Sequence, residues 1–244
     1  MNAKDRSGSW ATRSPTTRAP GNDPAVTHGS PRGAAEQREL VRRGNDAISH
    51  AYRRDDGSSN EGTADTTRIY AAWLQELAAH LPRDAHVLDI GCGAGVPADR
   101  WLTDAGFSVT GVDFSAVQIE RARELVPEAT FICADLASFD AADATFDAVI
   151  SLYALIHVPL EDQRRLFPRI RRWLRPAGLL LAIVGHDRWT GVEDYLGAPM
   201  FWDHADAATY LDWLKGEGFD VAWTRFIPEG SGGHTLLLAR KRGD

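Results

Sequence analysis

The chain has 244 residues, 43% of them hydrophobic and 25% charged, with a formal net charge of -7 at pH 7. That is the size of one large domain with appendages, long enough to bury a substantial core, and its acidic balance argues against a general nucleic-acid binder, which needs a basic surface against phosphate. No apolar run approaches the ~20 residues of a membrane span, no apolar signal segment is recognised at the N-terminus, and Cys92 and Cys133 make neither a disulfide framework nor a four-cysteine zinc site, so a reducing cytoplasm is the expected location.

Residues 1–35 hold 16 Gly, Pro, Ser and Thr, five basic and two acidic residues, and few large apolar side chains beyond Trp10 and Val26. Such a segment buries too little surface to offset its ordering entropy and is expected to be a disordered tail. Its positive excess suits either an anionic partner or an unconstrained extension. N-terminal helices are expected within 36–83. Leu40, Val41, Ile48 and Tyr52 suit a helix over 36–54 interrupted at Gly44, and a polar loop follows at 55–63. Asp65 or Thr66 then caps a second helix, with Ile69, Tyr70, Trp73, Leu74 and Leu77 on one face.

The main domain is expected over 84–244, where strands and helices alternate. Strands are read at 86–90, 107–113, 130–135, 146–153 and 178–185, the last without polar alternation, as in a strand covered on both faces. Helices are read near 97–105, at 115–126 behind a Ser115 cap, and at 160–176 with a kink expected at Pro168. A helix at 206–216 and strands at 219–227 and 234–241 close the chain. Repeated βα units imply a parallel sheet with helices on both faces. The connection 228–233 is too short for a parallel crossover, so the last strand is expected to be antiparallel. The fold class is therefore α/β: a doubly wound, mostly parallel, seven-stranded Rossmann-like sheet with an antiparallel last strand.

The informative segment is Val87 to Gly95, VLDIGCGAG, at the carboxyl end of the first strand, where open α/β sheets bind ligands. Gly91, Gly93 and Gly95 let the backbone turn tightly and approach a ligand. Asp89 precedes the loop and can hold an ammonium or accept hydrogen bonds from the loop. Asp113 ends the second strand, where an acid takes ribose hydroxyls, and Asp135 ends the third, where an acid can accept from the exocyclic amine of adenine. Together they describe a nucleoside pocket. A dinucleotide site would read GxGxxG, but here the spacing is GxGxG and the preceding acid would repel a pyrophosphate.

The run Asp89-Ile90-Gly91-Cys92-Gly93-Ala94-Gly95 resembles the DxGxGxG motif of class I S-adenosyl-L-methionine-dependent methyltransferases. The resemblance extends over residues 65–241 through Gly111-Val112-Asp113-Phe114-Ser115, Ala134-Asp135-Leu136, the strand FDAVISLY followed by His157-Val158, and the LRPAG turn at 174–178. It implies the methyltransferase version of the Rossmann-like fold, with S-adenosyl-L-methionine as cofactor. It also implies that Gly91, Gly93 and Gly95 line the methionine part, Asp113 binds the ribose with Phe114 beside the adenine, Asp135 and Leu136 meet the adenine edge, and Ser151 lies near the cofactor. Tyr52, in the stretch DAISHAY, resembles a tyrosine that members place over the cofactor; otherwise it is a helix-packing aromatic. Cys92 is expected to fill space in the loop.

The acceptor is expected after the fourth and fifth strands. His157 either deprotonates it or bonds a backbone carbonyl. Residues 185–205 form a connection longer than usual, with His186, Trp189, Tyr195, Trp202 and His204 as candidate substrate contacts: either an aromatic lid or a packed helical insert. No tight metal-ligand motif is present, so no metal is expected. The overall reading is an enzyme that methylates a small-molecule acceptor, without nucleic acid or membrane as partners. The alternatives are the same cofactor used for cyclisation or elimination, and a non-catalytic cofactor-binding protein.

Overall fold

A computed structural model describes residues 33–59 and 65–243. The expected tail, apart from its last three residues, and the second half of the polar loop lie outside the described residues. The order is α1 (Ala34–Tyr52), α2 (Thr66–Ala78), β1 (His86–Ile90), α3 (Ala98–Asp104), β2 (Ser108–Asp113), α4 (Ala116–Leu125), β3 (Thr130–Cys133) and β4 (Phe146–Ser151). There follow a 3₁₀ turn (Leu155–His157), α5 (Leu160–Trp173), β5 (Leu174–Gly185), β6 (Trp189–Tyr195), β7 (Ala198–His204), α6 (Ala207–Gly216), β8 (Phe219–Glu229) and β9 (Gly232–Lys241).

Three helices start at side-chain caps. Asp65, Ser115 and Asp206 accept from the backbone N–H groups of Arg68, Gln118 and Thr209, each satisfying a donor that the first turn leaves open. Seven strands form one sheet in the order β3-β2-β1-β4-β5-β9-β8. The first five pair in parallel, while β9 runs antiparallel to both β5 and β8. Successive residues of β5 feed opposite layers: Leu180, Ala182 and Val184 pack with Trp173, Tyr210 and Phe219, and Leu179, Leu181 and Ile183 pack with Leu74, Leu77 and Leu102. Burying one such leucine stabilises the fold by roughly 1.5–3 kcal/mol. Strand order reverses between β1 and β4, so the crevice opens above their carboxyl ends.

The structure corrects four local expectations. Gly44 does not interrupt α1; it sits buried where α1 meets β7, and a Cβ there would lie 2.9 Å from Met200 Cε and 3.1 Å from Pro199 O. Residues 174–176 belong to β5 rather than to the preceding helix, because Leu174 pairs with Phe146 of β4 before a bulge. The connection at 228–233 is mostly strand, with only Gly230 and Ser231 between β8 and β9.

The fourth correction concerns the insert, which is neither helix nor irregular loop. It is a β6–β7 hairpin, a separate two-stranded sheet turning at Leu196 and Gly197, both with positive φ, as a two-residue hairpin turn of the primed type requires. Ala198, Met200 and Phe201 of β7 are buried in one cluster with Val41 and Ile48 of α1. At its other end α1 is clamped to α4. Buried Arg121 donates to the carbonyl and hydroxyl of Ser49, at 2.8 Å each, and to the Arg53 carbonyl at 3.0 Å, and Ser49 donates to Gln118 Oε1 at 2.8 Å. Helix α1 and the hairpin thus form a roof over the sheet's carboxyl edge.

Candidate active site

Beneath that roof lies a cavity of about 600 Å³. Its floor is the glycine loop. Gly91 has φ +79°, and a Cβ on it would stand 2.1 Å from that of Ala154; Gly93 has φ +54°. Both are in the left-handed region that favours glycine. Asp113 holds this loop from β2, accepting from Gly93 N at 3.1 Å and from Ser115 N at 2.9 Å. Burial pushes its carboxyl up to about 6, with the two backbone bonds pulling the other way. Each oxygen keeps a lone-pair direction for a further donor.

Of the residues expected at the cofactor, Tyr52, Gly91, Gly93, Asp113, Phe114, Asp135 and Leu136 line this cavity. Arg38 of α1 bridges Asp135 at 3.0 Å and Asp162 of α5 at 2.5 Å, drawing the roof over the end of β3. Asp89, Cys92, Gly95 and Ser151 stand behind the loop, outside the cavity wall. Asp89 is buried beside Asp99 of α3, and Asp89 Oδ1 and both Asp99 oxygens lack a hydrogen-bond partner among the described residues. Burial pushes Asp89 up to about 7 and Asp99 well above its usual range, because two adjoining carboxylates in a dry site cannot both ionise. Cys92 is buried with its sulfur toward Gly111, and burial pushes its thiol up. Gly95 faces the Phe131 ring. Ser151 donates to the Ile90 carbonyl at 3.2 Å and ties β4 to β1.

Of the acceptor candidates, His157, Tyr195 and Trp202 line the cavity. Aromatic contacts run from Tyr52 to Tyr195 (6.1 Å between centroids), on to Trp202 (5.7 Å) and to His157 (5.1 Å). His157 Nδ1 lies 2.8 Å from the Phe201 carbonyl, so Nδ1 carries the proton, and burial pulls the imidazole down to about 4. His186, Trp189 and His204 lie outside the wall. His186 bonds Thr235 and packs on Phe226. Trp189, at the open end of the hairpin, is 44% exposed. His204 is buried against His234, 5.8 Å between ring centroids. Among the described residues no three His, Cys, Asp or Glu gather in a metal-ligating group.

Sequence reasoning missed Arg53, Tyr153, Glu229 and His234, all on the wall. Arg53 Nη2 donates to the hydroxyls of Tyr52 (3.2 Å) and Tyr70 (3.1 Å), with no carboxylate partner among the described residues. Its signal was its place beside Tyr52 at the end of α1. Glu229 and His234 flank a glycine-rich turn that looked merely connective.

The fold and the site together define an open α/β domain whose crevice at the carboxyl ends of the strands is one continuous cavity. Residues 87–178 match the family described as a methyltransferase domain. The chain is 36% identical over 141 residues to 27-O-demethylrifamycin SV methyltransferase of Amycolatopsis mediterranei, covering 54% of this chain and 49% of that protein. It spans about half the length, or less, of the curated relatives it matches. Among solved structures, 1,6-didemethyltoxoflavin-N1-methyltransferase of Burkholderia thailandensis, with bound 1,6-didemethyltoxoflavin and S-adenosylhomocysteine, superposes with a TM-score of 0.65 at 21% identity, covering 86% of this chain and 91% of that one. The cyclase SpnF also gives 0.65, at 20% identity, covering 88% and 97%. The glycine loop, Asp113 and Asp135 all fall inside the segment that matches a methyltransferase domain, and the solved neighbours share the fold.

Proposed function

We propose that this chain transfers the methyl group of S-adenosyl-L-methionine to a small organic acceptor. The observation that carries this reading is one cavity lined both by Gly91, Gly93 and Asp113 and by the aromatic side chains of Trp73, Tyr195 and Trp202. Its volume is in the range that holds small ligands. The donor, when bound, supplies a methyl group on an activated sulfonium. The protein's work is then alignment and exclusion of water. Asp113 takes the ribose hydroxyls, Phe114 and Leu136 flank the adenine, and Asp135 meets its amine. Arg53 takes the methionine carboxylate, and Tyr52 closes over it. Tyr195, Trp202 and His157 bound the acceptor chamber. Asp89, Cys92, Gly95 and Ser151 support the loop from behind, while His186, Trp189 and His204 back the chamber without touching its contents.

No described helix is long and apolar enough to cross a membrane; a cytoplasmic location and an acceptor other than nucleic acid complete the reading. Calorimetry with S-adenosyl-L-methionine, followed by a metabolite screen for S-adenosylhomocysteine release, tests it. Absence of cofactor binding would overturn it. Turnover of a metabolite with the donor left intact would transfer the site to cyclisation or elimination chemistry.

A further inference from the structure

The chamber holds a polar group to which the cofactor reading gives no task. Tyr153, just past β4, donates its hydroxyl to Glu229 Oε1 at 2.5 Å, and His234 Nδ1 lies 3.1 Å from Glu229 Oε2. The three side chains come from positions 76 and 5 residues apart in sequence and meet on one wall. Burial would raise the Glu229 carboxyl, but the bonds from His234 and Tyr153 leave it below its usual value. Burial and the adjoining Glu229 raise Tyr153, which therefore keeps its proton. A carboxylate only accepts, so His234 Nδ1 is the donor and Nε2 carries the lone pair.

The backbone supports this arrangement. Tyr153 has φ +65°, a left-handed conformation uncommon for an aromatic residue and often held at functional sites. It directs the ring edge-on to His234, 5.7 Å between centroids, and stacks it on Tyr70 at 6.4 Å. His157 has no such support: its Nδ1 is held by a carbonyl and no carboxylate adjoins it among the described residues.

We propose that His234 is the general base of the acceptor chamber, with Glu229 and Tyr153 as its positioning residues, and that the acceptor is a planar hydroxyl compound of the phenol class. The inference rests on the methyl-transfer reading. A base oriented by a carboxylate serves a nucleophile that must lose a proton. The walls of Tyr52, Trp73, Tyr195 and Trp202 suit a flat ring. Both Glu229 oxygens are already bonded, which disfavours a cationic amine seeking a bare carboxylate. In the transfer, the acceptor oxygen forms the new C–O bond as the S–CH₃ bond breaks, its electron pair staying on sulfur. The hydroxyl proton passes to His234 Nε2. The positive charge lost by the sulfonium reappears on an imidazolium beside the Glu229 carboxylate.

The groups facing His234 are Glu229 of β8, Tyr153 beyond β4 and His204 of β7, with His157 further off. The test uses the full chain saturated with S-adenosylhomocysteine, so that nothing turns over, and 4-nitrophenol as probe, at a pH where the free probe is mostly protonated. Binding should strengthen the probe's phenolate absorption. His234→Gln should lower bound phenolate about tenfold or more. Glu229→Gln should move the pH midpoint of the band upward by about one unit, Tyr153→Phe by less, with thermal stability retained; His157→Gln, a change in the chamber wall, should alter probe affinity but leave the pH midpoint of the saturated band in place. Should His234→Gln not fold, Glu229→Gln decides. An unaltered band in His234→Gln or Glu229→Gln, a shifted pH midpoint of the saturated band in His157→Gln, or failure of the loaded wild type to bind the probe would overturn the proposal. Failure of S-adenosylhomocysteine itself to bind, seen by calorimetry before any probe is added, would instead sink the methyl-transfer reading.

Discussion

Asp113 makes both a structural and a proposed binding contact, and the two separate experimentally. Its bonds to Gly93 N and Ser115 N hold the loop, while its remaining lone pairs are those assigned to the ribose. Asp113→Ala should weaken S-adenosyl-L-methionine by roughly 2–4 kcal/mol in calorimetry, as two charge-assisted bonds are lost; unchanged affinity in a folded variant would remove it from the site. The Asp89–Asp99 pair makes a different prediction. Burial raises both carboxyls, Asp89 to about 7 and Asp99 further, whereas an unfolded chain titrates near pH 4 as an approximate reference. Between those values the native state binds more protons than the unfolded state, so stability falls as pH rises toward and through about 7. Asp99→Asn, which mimics the neutral form, should flatten that decline. Urea midpoints at pH 5.5 and 8 check this, and an equal decline in variant and wild type would refute the raised Asp99 carboxyl as its cause.

Among the elements, the sheet was legible because β1, β2, β4 and β5 carry apolar runs, those of β1, β2 and β5 closed by glycine or acid, with helices between them. The hairpin was not. Strands β6 and β7 carry Gly191, Glu193, Asp194, Pro199 and Asp203, residue types depleted in strands, and their turn is Leu-Gly rather than Asn-Gly. Its only local signal was one glycine between two seven-residue runs. The site was legible in the same proportion: the glycine loop and its acids are local motifs, whereas Glu229 joins Tyr153 only through folding. Two predictions belong here. Trp202 lines the cavity and Trp189 does not, so Trp202→Ala should impair acceptor turnover with cofactor affinity retained, while Trp189→Ala should behave as wild type. Reversed effects would disprove this assignment of the two tryptophans. Gly44→Val should destabilise the fold by about 1–3 kcal/mol through overpacking against Met200 and Pro199. An unchanged denaturation midpoint would mean that the seam accommodates the extra volume.

For the molecule as a whole, the seam between α1 and β7 divides it into a rigid sheet below and a roof above. The roof shares no β-ladder with the seven-stranded sheet; it is held by the Val41–Met200–Phe201 cluster, by Arg38 at one end and by Arg121 at the other. A ligand enclosed in the cavity touches both layers, so its escape requires the layers to part. On the methyl-transfer reading, the expected consequence is a slow conformational step at the end of each cycle, with departure of the products rather than the chemistry setting the pace. Amide hydrogen exchange reads it directly: α1 and β7 should exchange as one cooperative unit, faster than β1, β4 and β5, and slow together when S-adenosylhomocysteine binds. Exchange in α1 that responds while β7 does not would mean that the two move independently. If they move together, substitutions at this seam, remote from any reacting atom, become the natural way to tune turnover without disturbing specificity.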